Sequence, residues 1–271
     1  MTLLEARDLT AGHHGRPAVL HGARFILPPG GRVALLGANG SGKTTLLRCL
    51  SAAHQPSGGQ VLRGGVPLTW TRAARQEHRH HVQLVLQDPD DQLFSADVTA
   101  DVSFGPLNLG LDAAAAAERV ARALDALSIS HLAERPTHQL SYGERKRVAL
   151  AGAVAMRPGV VLLDEPTAGL DPVGVAEVRA ILDRLHADGT GLVVATHDVD
   201  FALAWADEAA VVAGGTITQG PSTAVLADVE LLASARLEEP AALRLVRLLG
   251  LPERPRTVDQ AAALIAARTM R

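Results

Sequence analysis

The chain holds a single cysteine, Cys49, which excludes an intramolecular disulfide framework and a cysteine-ligated zinc finger. It also lacks a basic excess. Against 29 Asp and Glu stand 26 Lys and Arg, a net charge of −3, which argues against a dedicated nucleic-acid binder. No stretch approaches the roughly 18 uninterrupted apolar residues of a membrane span. The longest run, from Val148 to Met156, is bounded by Arg147 and Arg157. The opening MTLLEARDLT has no basic segment followed by an apolar one, so no secretory signal is expected. Together these absences predict a cytosolic protein that does not itself cross a bilayer. What is present is core-forming material. The 271 residues are 47% hydrophobic and 20% charged, enough for one large domain or two small ones and too apolar for disorder.

Apolar runs of four to six residues recur at 32–36, 82–86, 160–163, 192–195 and 209–213, punctuated by glycine or proline. Such runs predict strands buried on both faces of a mainly parallel sheet. Helix-forming segments lie between them; in 173–186, Val175, Val178, Ile181, Leu182 and Leu185 share one face. The alternation predicts an α/β fold. Between Asp97 and Met156 no strand signal intervenes, and 113–127 is alanine-rich with Val120, Leu124 and Leu127 on one stripe. That region is expected to be a helical insert. After Gly220 the pattern turns helical again, broken by Pro240, Pro252 and Pro255.

Residues 37–44 read Gly-Ala-Asn-Gly-Ser-Gly-Lys-Thr, the pattern G-x-x-x-x-G-K-[ST], between an apolar run and a helix-forming one. Glycines let the backbone curl so that successive N–H groups converge on an anion at a helix N-terminus. Gly37, Asn39, Gly40, Ser41, Gly42 and Thr45 are therefore candidate nucleotide contacts. Lys43 is expected to reach the β- and γ-phosphates, and the Thr44 hydroxyl to ligate Mg²⁺. An ordinary turn is the plainer alternative, and the strand before and helix after count against it.

The segment 160–165, Val-Val-Leu-Leu-Asp-Glu, carries two carboxylates at the end of a predicted strand. Asp164 would supply a second oxygen ligand for Mg²⁺. Glu165 is expected on the other side of the strand, placed to polarise an attacking water. Two surface acids at a strand end is the alternative.

Leu140-Ser141-Tyr142-Gly143-Glu144 resembles the signature motif of ATP-binding-cassette (ABC) ATPases. Gln87 resembles the family's Q-loop, Ala168-Gly-Leu-Asp171 its D-loop and His197 its switch histidine. All the landmarks run in family order, over about residues 2–220. The resemblance implies an α/β P-loop NTPase fold: a RecA-like, mainly parallel core sheet, an antiparallel β subdomain, and a helical subdomain at about 92–157. Residues 1–220 would form the nucleotide-binding domain and 221–271 a small C-terminal helical extension. It further implies two domains facing head to tail, each ATP lying between the P-loop of one and the signature of the other. Ser141 and the Gly143 amide would then bond the γ-phosphate across the interface, with Asp171 beside them. His197 would contact the same phosphate, and Gln87 would touch Mg²⁺ or the water. The signature departs from the common form at Tyr142 and Glu144, where Gly and Gln are usual; tolerated surface filler is the plain reading of Tyr142. The adenine platform, usually aromatic, falls on His13.

The segment 86–94, Leu-Gln-Asp-Pro-Asp-Asp-Gln-Leu-Phe, resembles energy-coupling-factor (ECF) ATPases, notably the cobalt/nickel branch, as do 145–152 and the tail around 237–248. There the segment lines a groove that receives a helix of a transmembrane coupling protein. Leu93 and Phe94 would be its apolar anchors, or else pack within the insert. The resemblance implies an ATP- and Mg²⁺-dependent subunit, peripheral at the cytoplasmic face of the membrane, that powers an importer for cobalt, nickel or a vitamin. Its partners would be a second copy or a paralogous ATPase, the coupling subunit and a substrate-binding membrane subunit, with no nucleic acid. A soluble ABC-type ATPase acting on nucleic acid or ribosomes is the alternative; the short insert and the single P-loop weigh against it.

Three features invite other readings. Glu77-His78-Arg79-His80-His81 suggests metal, but adjacent His80 and His81 leading into a strand would face opposite ways, leaving a solvated basic patch. Arg145-Lys146-Arg147 is explained by the adjoining phosphate site. Cys49 is expected to be a small packed residue.

Overall fold

Successive residues of the central strands are buried in opposite directions. Ala34 and Leu36 pack into one core, Val33 and Leu35 into another, and Val161/Leu163 and Val160/Leu162 divide the same way. This period of two explains the unbroken apolar runs: each strand is covered on both faces. The computed structural model describes residues 2–12 and 17–269.

In chain order the elements begin with β1 (Leu4–Gly12), β2 (Ala18–Leu27), β3 (Arg32–Leu36), α1 (Lys43–Leu50), β4 (Gly58–Arg63), β5 (Val66–Pro67), α2 (Arg72–His81) and β6 (Val82–Val85). The insert follows as α3 (Val98–Asn108), α4 (Ala113–Ala126) and α5 (Tyr142–Ala155). Then come β7 (Val160–Asp164), α6 (Pro172–Ala187), β8 (Gly191–Thr196), α7 (Val199–Trp205), β9 (Glu208–Ala213) and β10 (Thr216–Pro221). The chain closes with α8 (Ser222–Val225), α9 (Val229–Ser234), α10 (Ala241–Leu248) and α11 (Val258–Thr269).

Two sheets result. A six-stranded sheet runs β10-β9-β3-β8-β7-β6, parallel except for edge strand β10. A four-stranded antiparallel sheet runs β2-β1-β4-β5. The antiparallel sheet and α1 cover one face of the parallel sheet, and the remaining core helices cover the other. Asp side chains at positions 97, 112, 171 and 198 accept from backbone N–H groups of the following turns and so start α3, α4, α6 and α7.

The C-terminal helices join the same core as α6 and α7, through Leu232, Leu243, Val246 and Ala261. Arg256 donates to the Ala206 carbonyl and to Ser222 Oγ, tying the segment before α11 to the end of α7. Register places the ends of the middle strands side by side: Leu36 pairs with Thr196, and Asp164 with Ala195. The loops that follow β3, β7 and β8 therefore leave the same edge, the carboxyl edge where open α/β sheets hold ligands.

Candidate nucleotide-binding and hydrolysis site

The loop after β3 adopts a conformation that only glycines reach easily. Gly37, Gly40 and Gly42 have φ of 153°, 80° and 111°. At Gly37 a Cβ would stand 2.6 Å from Ser41 Oγ and 2.9 Å from the Val212 carbonyl oxygen, so a side chain there is excluded by space as well. Gly42 caps α1 without a side-chain partner, which leaves the first-turn N–H groups to a ligand. Lys43 is buried and its Nζ donates to the Gly37 carbonyl at 2.7 Å. Burial lowers its pKa, while Glu165 and Asp164 pull the other way. Ser41 Oγ is buried with no hydrogen-bond partner among the described residues.

Asp164 ends β7 two strands away, and its Oδ2 accepts from Thr44 Oγ1 at 2.6 Å. Burial raises the Asp164 carboxyl pKa, with the Thr44 hydrogen bond opposing. Glu165 is not on the far side of the strand. Its N–H still bonds the Ala195 carbonyl at 2.9 Å, but its φ of 47° swings the side chain back toward Lys43 and His197. Glu165 Oε1 lies 3.0 Å from His197 Nδ1 and 3.9 Å from Lys43 Nζ. An ionised carboxylate only accepts, so Nδ1 of His197 donates. The two adjacent carboxylates thus face one cleft because the second residue sits in the left-handed region, which a period-two strand pattern cannot express.

The cleft measures about 450 Å³ and includes Asn39, Gly40, Thr44, Gln87, Asp164 and Glu165 in its lining. Thr44 and Asp164 offer a hydroxyl and a carboxylate oxygen already in contact, the hard donors that Mg²⁺ takes. The converging loop amides, the buried ammonium and the unpartnered Ser41 hydroxyl fit phosphate oxygens. His13 lies outside the described residues; Pro17 and Val19 line the cleft where the chain is described again.

Ser141, Gly143 and Asp171 do not line this cleft. Ser141 and Asp171 are exposed, each as a helix cap. Asp171 Oδ1 accepts from Gly174 N at 2.7 Å. Ser141 Oγ accepts from Glu144 N at 3.3 Å, and Glu144 Oε2 accepts from Ser141 N at 2.7 Å, a reciprocal capping box. That bond holds the Glu144 carboxyl below its ordinary pKa. The Ser141 hydroxyl accepts within the box and keeps its proton to donate outward. Tyr142 is more than filler: a Cβ on Gly169 would lie 3.1 Å from its ring, and Lys146 Nζ stands 5.2 Å from the ring centroid.

A family model described as "ABC transporter" matches residues 20–168. The chain belongs to the ABC transporter family. Among its relatives it is 47% identical over 277 residues to the cobalt import ATP-binding protein CbiO of Rhodobacter capsulatus, covering 99% of each chain. It is 41% identical over 251 residues to the energy-coupling factor transporter ATP-binding protein EcfA of Methanocaldococcus jannaschii, 92% of this chain and 90% of that one. A solved structure of CbiO1 from Clostridium perfringens, described as part of the ABC transporter complex cbiONQ, is similar at a TM-score of 0.78. It is 37% identical and the match covers 91% of this chain and 99% of that chain.

Like other ABC ATP-binding subunits the chain is an ATPase. A second cavity of this ABC subunit, about 660 Å³, lies between α2, the 92–94 segment, α3 and α5. Arg72, Arg75 and Arg79 stand on one wall; Leu93, Phe94 and Phe104 on another. Phe94 is 65% exposed and meets Phe104 edge to face, ring centroids 4.7 Å apart.

Two expectations about the basic segments also need correcting. The 77–81 segment is the last half of α2 and runs straight into β6, so His80 and His81 are helical neighbours rather than alternating strand residues. Thr71 caps that helix, His78 is buried with Nε2 2.7 Å from the Leu50 carbonyl oxygen, and His81 lies 3.3 Å from Glu77 one turn away. Its inward face is a histidine, so apolar periodicity could not mark the helix. Nor do Arg145, Lys146 and Arg147 turn free cationic ends to the cleft. Arg145 pairs with Asp90 at 3.0 Å and Arg147 with Glu177 at 2.7 Å, while Lys146 is buried against backbone carbonyls. Gln92 was also missed. Its Oε1 accepts from Leu86 N at 2.6 Å and its Nε2 donates to Leu84 O at 3.3 Å, bracing the loop that carries Gln87. Nothing in the sequence marked these side-chain-to-backbone bonds.

Proposed function

We propose that the chain is the ATP-hydrolysing subunit of an ECF-type importer and that it works as a head-to-tail pair around ATP. Residues 1–220 are the nucleotide-binding domain, with the helical subdomain at about 92–157, and 221–271 the extension. No helix among the described residues is long and apolar enough to cross a membrane, so separate membrane subunits would carry the cargo. The relative named for cobalt import supports a cobalt or nickel ion as that cargo, with a vitamin as the other cargo an ECF-type importer would take.

The observation that carries the reading is the convergence of Lys43, Thr44, Asp164, Glu165 and His197 at the carboxyl edge of the parallel sheet. In the proposed mechanism Gly37, Asn39, Gly40, Ser41, Gly42 and Thr45 hold the phosphates through backbone and hydroxyl donors, and Lys43 turns its ammonium from the Gly37 carbonyl to them. Thr44 and Asp164, with Gln87 beside them, would hold Mg²⁺, which when bound offsets the negative charge of the transferring phosphoryl group. Glu165 accepts a proton of the attacking water and aligns it, and His197 keeps that carboxylate in place through Nδ1. A partner's copy of the exposed Ser141 cap, Gly143 amide and Asp171 turn closes the site, its helix N-terminus favouring negative charge.

The test is Glu165→Gln in Mg²⁺-ATP. Hydrolysis should fall on the order of 10²–10⁴-fold. ATP binding should persist and an ATP-loaded dimer should accumulate on size exclusion. Normal turnover, or an ATP-loaded monomer alone, would overturn the reading.

A further inference from the structure

The turn that carries Glu165 is held from outside by one side chain. Lys146, in the second turn of α5, is 8% exposed. Its Nζ donates to the carbonyls of Glu165 at 3.0 Å, Pro166 at 3.2 Å and Ala168 at 2.7 Å. Three carbonyls meet three ammonium protons, a match that neither a neutral amine nor a side-chain amide can make. Within the turn only Ala168 N→Glu165 O and Leu170 N→Thr167 O support the same segment, at 3.2 Å each. The Tyr142 ring covers the ammonium from the other side, with Gly169 behind it. Burial lowers the Lys146 pKa to about 8, so the group still carries its third proton at neutral pH.

We propose that Lys146 is a positioning residue for hydrolysis: it fastens the left-handed backbone of Glu165 to the first turns of α5 and so fixes where that carboxylate stands over the nucleotide. The inference rests on the reading of Glu165 as the group that polarises water. It assigns a role to the turn's carbonyls, and it gives Tyr142 a place as the cover of the ammonium.

The experiment compares the full chain with Lys146→Met, Lys146→Arg, Glu165→Gln and the Lys146→Met/Glu165→Gln double variant in Mg²⁺-ATP. Melting with and without nucleotide confirms that each is folded. Lys146→Met should lower kcat on the order of 10²-fold, the scale of a misplaced catalytic group, with KM and ATP-dependent dimerisation retained. Lys146→Arg should recover part of the loss. The double variant should hydrolyse no more slowly than Glu165→Gln alone, because the two residues act as a unit. Unchanged kcat in Lys146→Met, equal losses in KM and dimerisation, or additive losses in the double variant would overturn the proposal. If Lys146→Met does not fold, Lys146→Gln carries the same comparison. Wild-type turnover by Glu165→Gln would instead sink the reading of the site itself, whereas a slow Glu165→Gln beside a normal Lys146→Met would sink only this proposal.

Discussion

The cleft and the signature face are built from the same kinds of group and finished to different degrees. In the cleft the charged groups and the Thr44 hydroxyl already have intramolecular partners: Lys43 holds a carbonyl, Thr44 holds Asp164, and His197 holds Glu165. On the signature face Ser141 and Asp171 are exposed, their oxygens engaged only in starting helices. The difference teaches that the cleft is preorganised within one chain, while the signature face keeps its caps exposed, as the proposed head-to-tail pairing requires.

The sharpest way to break this comparison is to damage each half in a different protomer. Lys43→Ala should lower hydrolysis on the order of 10²–10³-fold, the cost of a lost charge-stabilising donor. Ser141→Arg should be as damaging, by blocking the shared face. Mixing the two proteins leaves one site with an intact cleft and an intact signature, so hydrolysis should return; no recovery in the mixed assay would mean the halves do not meet head to tail. Phe94→Asp should leave nucleotide-induced melting shifts intact and weaken capture of the membrane subunits about ten- to a hundredfold, the worth of one buried aromatic anchor. Undiminished capture would remove Phe94 from the docking groove.

The smallest effect sharpens the signature side. Glu144→Ala should cost about 1 kcal/mol through the lost capping box, a Tm drop of about 2–4 °C for a chain of this size. Because the folded Glu144 carboxyl is held below its ordinary 4.5, its contribution is in place above that pH and is lost as pH falls through the lower folded value. The gap between wild type and Glu144→Ala in thermal melts should therefore close on acidification. A gap that widens would place the stabilisation elsewhere.

Much of this was legible because it is periodic or local. The runs at 32–36 and 209–213 became β3 and β9 to within a residue, since strands buried on both faces write themselves as unbroken apolar stretches. The P-loop could be read because its glycines have no substitute at those φ values. What escaped depends on a single dihedral or on distant backbone. The direction of Glu165 turns on one positive φ. The partners of Lys146 lie 19, 20 and 22 residues away and are carbonyls, which no side-chain pattern records. Helix α2 stayed hidden because His78 occupies the position where a leucine would have announced it.

Helix α5 has a consequence for how events on this molecule are tied together. It runs unbroken from the Ser141 cap to Ala155, about 21 Å at 1.5 Å per residue. Ala149, Gly152 and Ala153 from its far half form part of the groove wall. One rod therefore has the Ser141 cap, proposed to meet the partner's phosphates, at one end and the wall of the proposed docking groove at the other, with the Lys146 anchor between. A tilt imposed at either end is a lever stroke, displacing tip and wall together about the turn that bears Glu165.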